Sequence, residues 1–226
     1  MSDSAQSDTQ GAAAYRYGAV FVLMAMLLVF VIVAPNERWS RAVGITIEGA
    51  ALVVAVATSR AREDVRRASA IAVAVAAALV ILGVATGVLS RGATFAIGGI
   101  LAIAIPVTLV RGLLRLVLEQ GVTIRAVAGA LAIYLMIGMG FAWTVGFVGE
   151  IGNSPFFAQG TNGNESQWAY YSFTVLTTTG FGDLTPARPV GHAVAVIEML
   201  VGQLYLVTVI GVLIGNFVRR RPAVGG

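Results

Sequence analysis

Residues 177–183 read Thr177-Thr178-Thr179-Gly180-Phe181-Gly182-Asp183 and lie between two apolar stretches, each long enough to cross a bilayer. Glycines at alternate positions suit a strand whose backbone switches between left- and right-handed regions, because glycine has no Cβ to clash there. Such a strand can turn successive carbonyl oxygens toward one narrow axis. Immediately upstream, Trp168–Thr177 (WAYYSFTVLT) is an aromatic run free of Pro and Gly, about three helical turns long. It is too short to span a bilayer and suits a helix that enters the membrane and stops inside it. The carbonyl pole of that helix, carrying roughly half a negative charge, would point at the Thr/Gly strand.

The heptapeptide resembles the T-V-G-Y-G selectivity-filter motif of tetrameric potassium channels, in a G-F-G variant. The resemblance covers roughly residues 124–221 and is strong over 168–202. It implies that Thr178, Thr179, Gly180, Phe181 and Gly182 occupy the five filter positions, with K+ held at Thr178, Thr179, Gly180 and Phe181. Carbonyl rings from four such loops would replace the water shell of the ion. The Thr178 hydroxyl would serve the innermost site. Thr177, Thr174, Tyr170, Tyr171 and Asp183 would support the filter, Asp183 at the outer mouth bonding back toward the pore helix; its alternative role is a turn cap before Leu184-Thr185-Pro186. Because the chain has one filter strand and the site needs four, the resemblance implies a homotetramer. K+ is then the permeant ion, and no cofactor is implied.

Three residues depart from the family pattern. Phe181 replaces the usual Tyr and lacks the hydroxyl that braces the filter laterally. Thr179 stands where Val is commonest and places a hydroxyl behind the filter. Tyr170-Tyr171 replaces the Trp pair flanking the pore helix. Selectivity is expected to survive these changes, while the filter is expected to inactivate readily or to act as the gate.

Gly202, twenty residues after Gly182, falls where the family places the inner-helix hinge. Close helix packing is the equal alternative, in keeping with the nearby Gly211-x-x-x-Gly215 spacing. Gln203 would face the water-filled cavity below the filter, and Ile210 and Ile214 would follow on the same face as a hydrophobic constriction that gates by dewetting. Glu198, ionisable and within an apolar helix, is a functional or paired residue. It is read as a brace facing the pore helix or the fifth helix, with a sensing role as the alternative.

The chain is 58% hydrophobic and 12% charged, against about 25% charged in soluble domains, so it is an integral membrane protein. It has no cysteine, and a single histidine leaves no nucleophile–base pair or metal cluster; an enzyme is not expected. All 15 basic residues are Arg. They fall mostly at helix ends, so the net charge of +4 reads as membrane orientation and not as a nucleic-acid surface.

The fold expected is an all-α integral membrane protein with six transmembrane helices per chain and a re-entrant pore helix and filter between the fifth and sixth. Spans are drawn at about 17–34, 42–58, 68–89, 93–110 (kinked at Pro106), 124–148 and 190–217. The domain plan is a disordered cytoplasmic tail at 1–16, a four-helix sensor-like membrane domain with linker helix at 17–120, the pore domain at 121–218 and a basic cytoplasmic tail at 219–226. Arg16, Arg60, Arg62, Arg66, Arg67, Arg111, Arg115, Arg125 and Arg219–Arg221 then lie inside and Arg38, Arg41, Arg91 and Arg188 outside. This arrangement places both termini in the cytoplasm of a multi-pass cell-membrane protein.

A voltage sensor needs basic residues at every third position of its fourth helix. Residues 93–110 contain none, so steep voltage gating is not expected, and the first four helices stabilise the tetramer or receive a lipid or partner signal. Two other functions remain open: a weakly selective monovalent cation channel and a non-conducting regulatory membrane subunit.

Overall fold

The computed structural model describes residues 2–35, 37–58, 71, 74–75, 78, 82–83, 123–211, 213 and 215. The expected third and fourth spans, the Pro106 kink, the Arg111/Arg115 linker, Ile214 and the tail at 219–226 lie essentially or wholly outside these residues. Within them the fold is helical: α1 (Ser2–Val33), α2 (Arg38–Thr58), α3 (Ile124–Ile151), α4 (Glu165–Leu176) and α5 (Pro189–Tyr205), the last continuing as a π-helical segment over Leu206–Ile210. Two stretches, Ala126–Ile151 and Pro189–Ile210, are long and apolar enough to cross a membrane, with mean hydropathies of 1.9 and 2.1.

Helix α1 starts at Ser2, so residues 2–16, read as a disordered tail, are helical; the Ala12-Ala13-Ala14 run has the highest helix propensity available. A tight turn joins α1 to α2. There Ser40 Oγ donates to the Pro35 carbonyl at 2.5 Å, and Glu37 N–H donates to Ser40 Oγ at 3.2 Å. Trp39 folds back edge-on against Phe30, 6.3 Å between ring centroids.

Helix α1 packs on both α2 and α3. Val20, Met24 and Leu27 of α1, Ala51 of α2, and Ala130, Ile133, Met136 and Met139 of α3 form one buried cluster that also takes in Leu213. The first two helices therefore share a core with residues assigned to the pore domain. The boundary drawn at 120/121 divides the sequence, but the described helices on either side of it are packed together. Glu48 illustrates this. It lies on α2 and is buried against Trp143 of α3.

Thr123 caps α3, its Oγ1 accepting from Ala126 N–H at 3.3 Å. The 12-residue helix α4 is about 18 Å long, well short of a bilayer core. Two glycines on one face of α3 admit the large rings of α4. A Cβ on Gly138 would stand 2.6 Å from Phe173, and one on Gly146 would stand 2.7 Å from Trp168. Those pairings run in opposite chain directions, so α3 and α4 are antiparallel. Helix α5 begins with Pro189 in its first turn, where the missing N–H breaks no helical hydrogen bond.

Candidate functional site

Helix α4 is fixed at both ends. At its start Asn164 is the N-cap: its Oδ1 accepts from Gln167 N–H at 3.0 Å, while the Gln167 side chain accepts from Asn164 N–H at 3.1 Å. This capping box is marked in the sequence by N-x-x-Q (Asn164–Gln167) ahead of the aromatic run. Ser166 Oγ donates to Ile32 O of α1 at 2.9 Å, tying α1 to the same end. At the other end Tyr134 of α3 donates to Leu176 O at 3.3 Å.

The segment before α4 is packed and not a free loop. Phe156 and Phe157 are fully buried and stack edge-to-face with Tyr171 at 6.0 and 5.3 Å. Residues 156–159 also pair with the segment after the Thr/Gly strand: Ala158 N–H donates to Thr185 O, and Ala187 N–H to Phe156 O, both at 2.8 Å. Arg188 Nη2 donates to Val148 O at 3.2 Å. Nothing in the sequence marked this Phe-Phe pair, because its partner Tyr171 lies fourteen positions away.

Beyond α4 the backbone takes positive φ at alternate residues: Thr178 at 57°, Gly180 at 53° and Gly182 at 82°. The two glycines carry this without strain, whereas Thr178 holds a left-handed conformation costing about 1–2 kcal/mol. Such conformations persist only where the surroundings over-determine them. Here the surroundings are the last turn of α4. The Thr174 carbonyl accepts from both Thr179 N–H at 2.8 Å and Gly180 N–H at 3.1 Å, and Thr178 N–H donates to Val175 O at 2.9 Å.

The side chains at this bend also interlock. Thr177 Oγ1 donates to Phe173 O at 2.6 Å and lies 2.9 Å from Thr179 Oγ1. The hydroxyl that Thr179 brings in place of Val is thus paired with Thr177. Residues 177–183 are all exposed on the single chain. The Phe181 ring stacks on Tyr170, 6.2 Å between centroids and 5° from parallel. Tyr170 also faces Asp183, and that carboxylate beside it holds the phenol above the usual tyrosine range. Tyr170 therefore supports two residues of the strand at once, whereas its neighbour Tyr171 turns inward to the Phe156–Phe157 cluster.

Helix α5 backs onto this assembly at Gly202, which is buried against the end of α4. A Cβ there would overlap the Leu176 carbonyl oxygen and would come within 2.9 Å of Leu176 Cδ1. Of the two roles considered for Gly202, close packing is the one this contact requires. Gln203 is exposed beside it. Ile210 is half-buried against the cluster formed by α1, α2, α3 and Leu213. Between Gln203 and Ile210 lies the π-helical segment Leu206–Ile210, whose hydrogen bonds reach one residue further than those of an α-helix. Among the described residues no group of three His, Asp or Glu side chains could hold a metal ion.

A family model described as an ion channel matches residues 134–219, the segment from the middle of α3 past the end of α5. No curated protein and no solved structure matches the chain. The ion-channel match covers the short helix, the Thr/Gly strand and the helix behind it.

Proposed function

We propose that the chain is one subunit of a homotetrameric potassium-selective channel that conducts K+ passively across the cell membrane. In it Thr178, Thr179, Gly180, Phe181 and Gly182 from four chains line one axis. The observation that carries this reading is the alternation of positive φ at Thr178, Gly180 and Gly182 at the carbonyl end of a helix too short to cross the bilayer. Alternate left-handed residues let neighbouring carbonyls face the same way, as a dehydrated cation requires. The pole of α4 adds negative potential at the inner end of the strand.

Two further features support assembly around an axis. The strand is exposed on the single chain, and so are Leu200, Leu204 and Val207 on α5, at 57, 61 and 64%. A helix this apolar and this bare needs lipid or other subunits against it. The absence of arginine at 93–110 argues that opening is not steeply voltage-driven.

Purified protein in liposomes tests the proposal. Reversal potentials in mixed K+ and Na+ should follow K+, the particle should contain four chains, and Gly180→Ala should abolish flux. Equal K+ and Na+ permeability would instead show a weakly selective cation channel, and absence of flux a non-conducting subunit.

A further inference from the structure

Glu198 lies on α5 one turn before Gly202 and is fully buried. On α4, Ser172 lies one turn before Leu176 and is likewise fully buried. The Ser172 hydroxyl faces the Glu198 carboxyl, while Gly202 meets Leu176. The same four-residue step on both helices gives two rungs of one ladder, and the matched order means that α4 and α5 run parallel here. Tyr134 of α3 and Tyr171 of α4 also lie within electrostatic reach of Glu198. Among the described residues no basic side chain acts on it.

The cluster is polar and incomplete. Glu198 Oε1 and Oε2, Ser172 Oγ and Tyr171 OH are all buried with no hydrogen-bond partner among the described residues. A buried polar atom left in that state is destabilising unless it closes with a neighbour or a bridging water. Four such atoms gathered between two helices that share one contact rung are the components of a tie. A leucine would fill this apolar interface without any of that cost, so the acid is not needed for packing alone.

We propose that Glu198 is a positioning residue for the filter. From α5 it holds α4 at Ser172, with Tyr171 closing the same network, and so keeps the carbonyl pole at Leu176 and the strand at Thr178–Gly182 in register with the axis-lining helix. Losing the tie lets α4 slide on α5, and conduction decays. The role rests on the potassium-channel reading above.

The test uses full-length tetramers in liposomes and compares wild type with Glu198→Gln, Glu198→Leu, Ser172→Ala and the Glu198→Leu/Ser172→Ala double variant. The readouts are initial and sustained K+ flux at constant voltage. Glu198→Gln keeps the hydrogen-bonding ability and should sustain flux close to wild type. Glu198→Leu and Ser172→Ala should each lower sustained flux about tenfold, the scale of one lost buried hydrogen bond, with initial flux and K+/Na+ preference retained. The double variant should fall no further than the weaker single one, because both changes cut one tie.

Sustained flux unchanged in Glu198→Leu, or independent losses that multiply in the double variant, overturns the role. Should Glu198→Leu fail to assemble, Ser172→Ala decides: wild-type sustained flux there overturns it, and a decline matched by normal assembly supports it. A wild-type protein without potassium-selective flux overturns the functional reading itself and this role with it. Selective wild-type flux with unaffected variants overturns only the role of Glu198.

Discussion

Gly202 of α5 sits directly on the Leu176 carbonyl, the last of α4, with no room between them for a methyl group. The helix that lines the proposed axis is thereby keyed to the end of the helix that aims at it. Tyr134 reaches the same carbonyl from α3, so three helices meet at one peptide oxygen.

Gly202→Ala should accordingly cost about 1–3 kcal/mol per subunit through overpacking, read as a lowered thermal midpoint of the tetramer and reduced flux. Adding Leu176→Ala should not restore it, since the overlapping atom belongs to the backbone. Full rescue by that second change would show that only side chains meet here.

Gly180→Ala places a Cβ at φ 53°, a left-handed conformation costing about 1–2 kcal/mol. Within the single chain nothing lies within 4 Å of that Cβ, so each subunit should still fold and assemble while K+ flux is lost. Assembly is checked by chain count, and conduction by liposome flux.

Tyr170→Phe keeps the stack on Phe181 and removes the hydroxyl that faces Asp183. Flux should decline faster under sustained conduction, and Tyr170→Leu, which loses both contacts, should decline faster still. The pH dependence has a definite sign. Because Asp183 raises the phenol's pKa, the contact is fully present below the ordinary tyrosine value of about 10 and is lost as pH rises through the higher value in the fold. Wild type should therefore resist alkaline decay up to that point, and Tyr170→Phe should show no such transition.

Asn164→Ala removes one half of the capping box at the start of α4. It should cost about 1 kcal/mol in thermal unfolding, with K+/Na+ selectivity unaltered, because the lesion lies at the far end of the helix from the strand. A change in selectivity would show that the cap reaches the strand.

Composition pointed to a membrane protein, and the order of helix, Thr/Gly strand and second apolar span pointed to the candidate site, since those properties are local. Glycine at alternate positions and an uninterrupted aromatic run declare themselves within a dozen residues. The left-handed turn at Thr178, by contrast, carries no local mark. It follows from the Thr174 and Val175 carbonyls that capture the next amides, and only the folded backbone brings those together.

The same division holds elsewhere. Gln203 and Ile210 share a face when counted at regular α-helical spacing, but the π-helical segment Leu206–Ile210, which that spacing does not announce, lies between them. Glu198 could be recognised by sequence as a buried acid in an apolar helix; that it faces Ser172, and that Glu48 faces Trp143, depended on how the helices dock. Local chemistry marked which residues are candidates to turn their carbonyls to the proposed axis. Packing between distant segments settled what holds them there, because side-chain partners on separate helices are chosen by tertiary contact and leave no periodic trace in the chain.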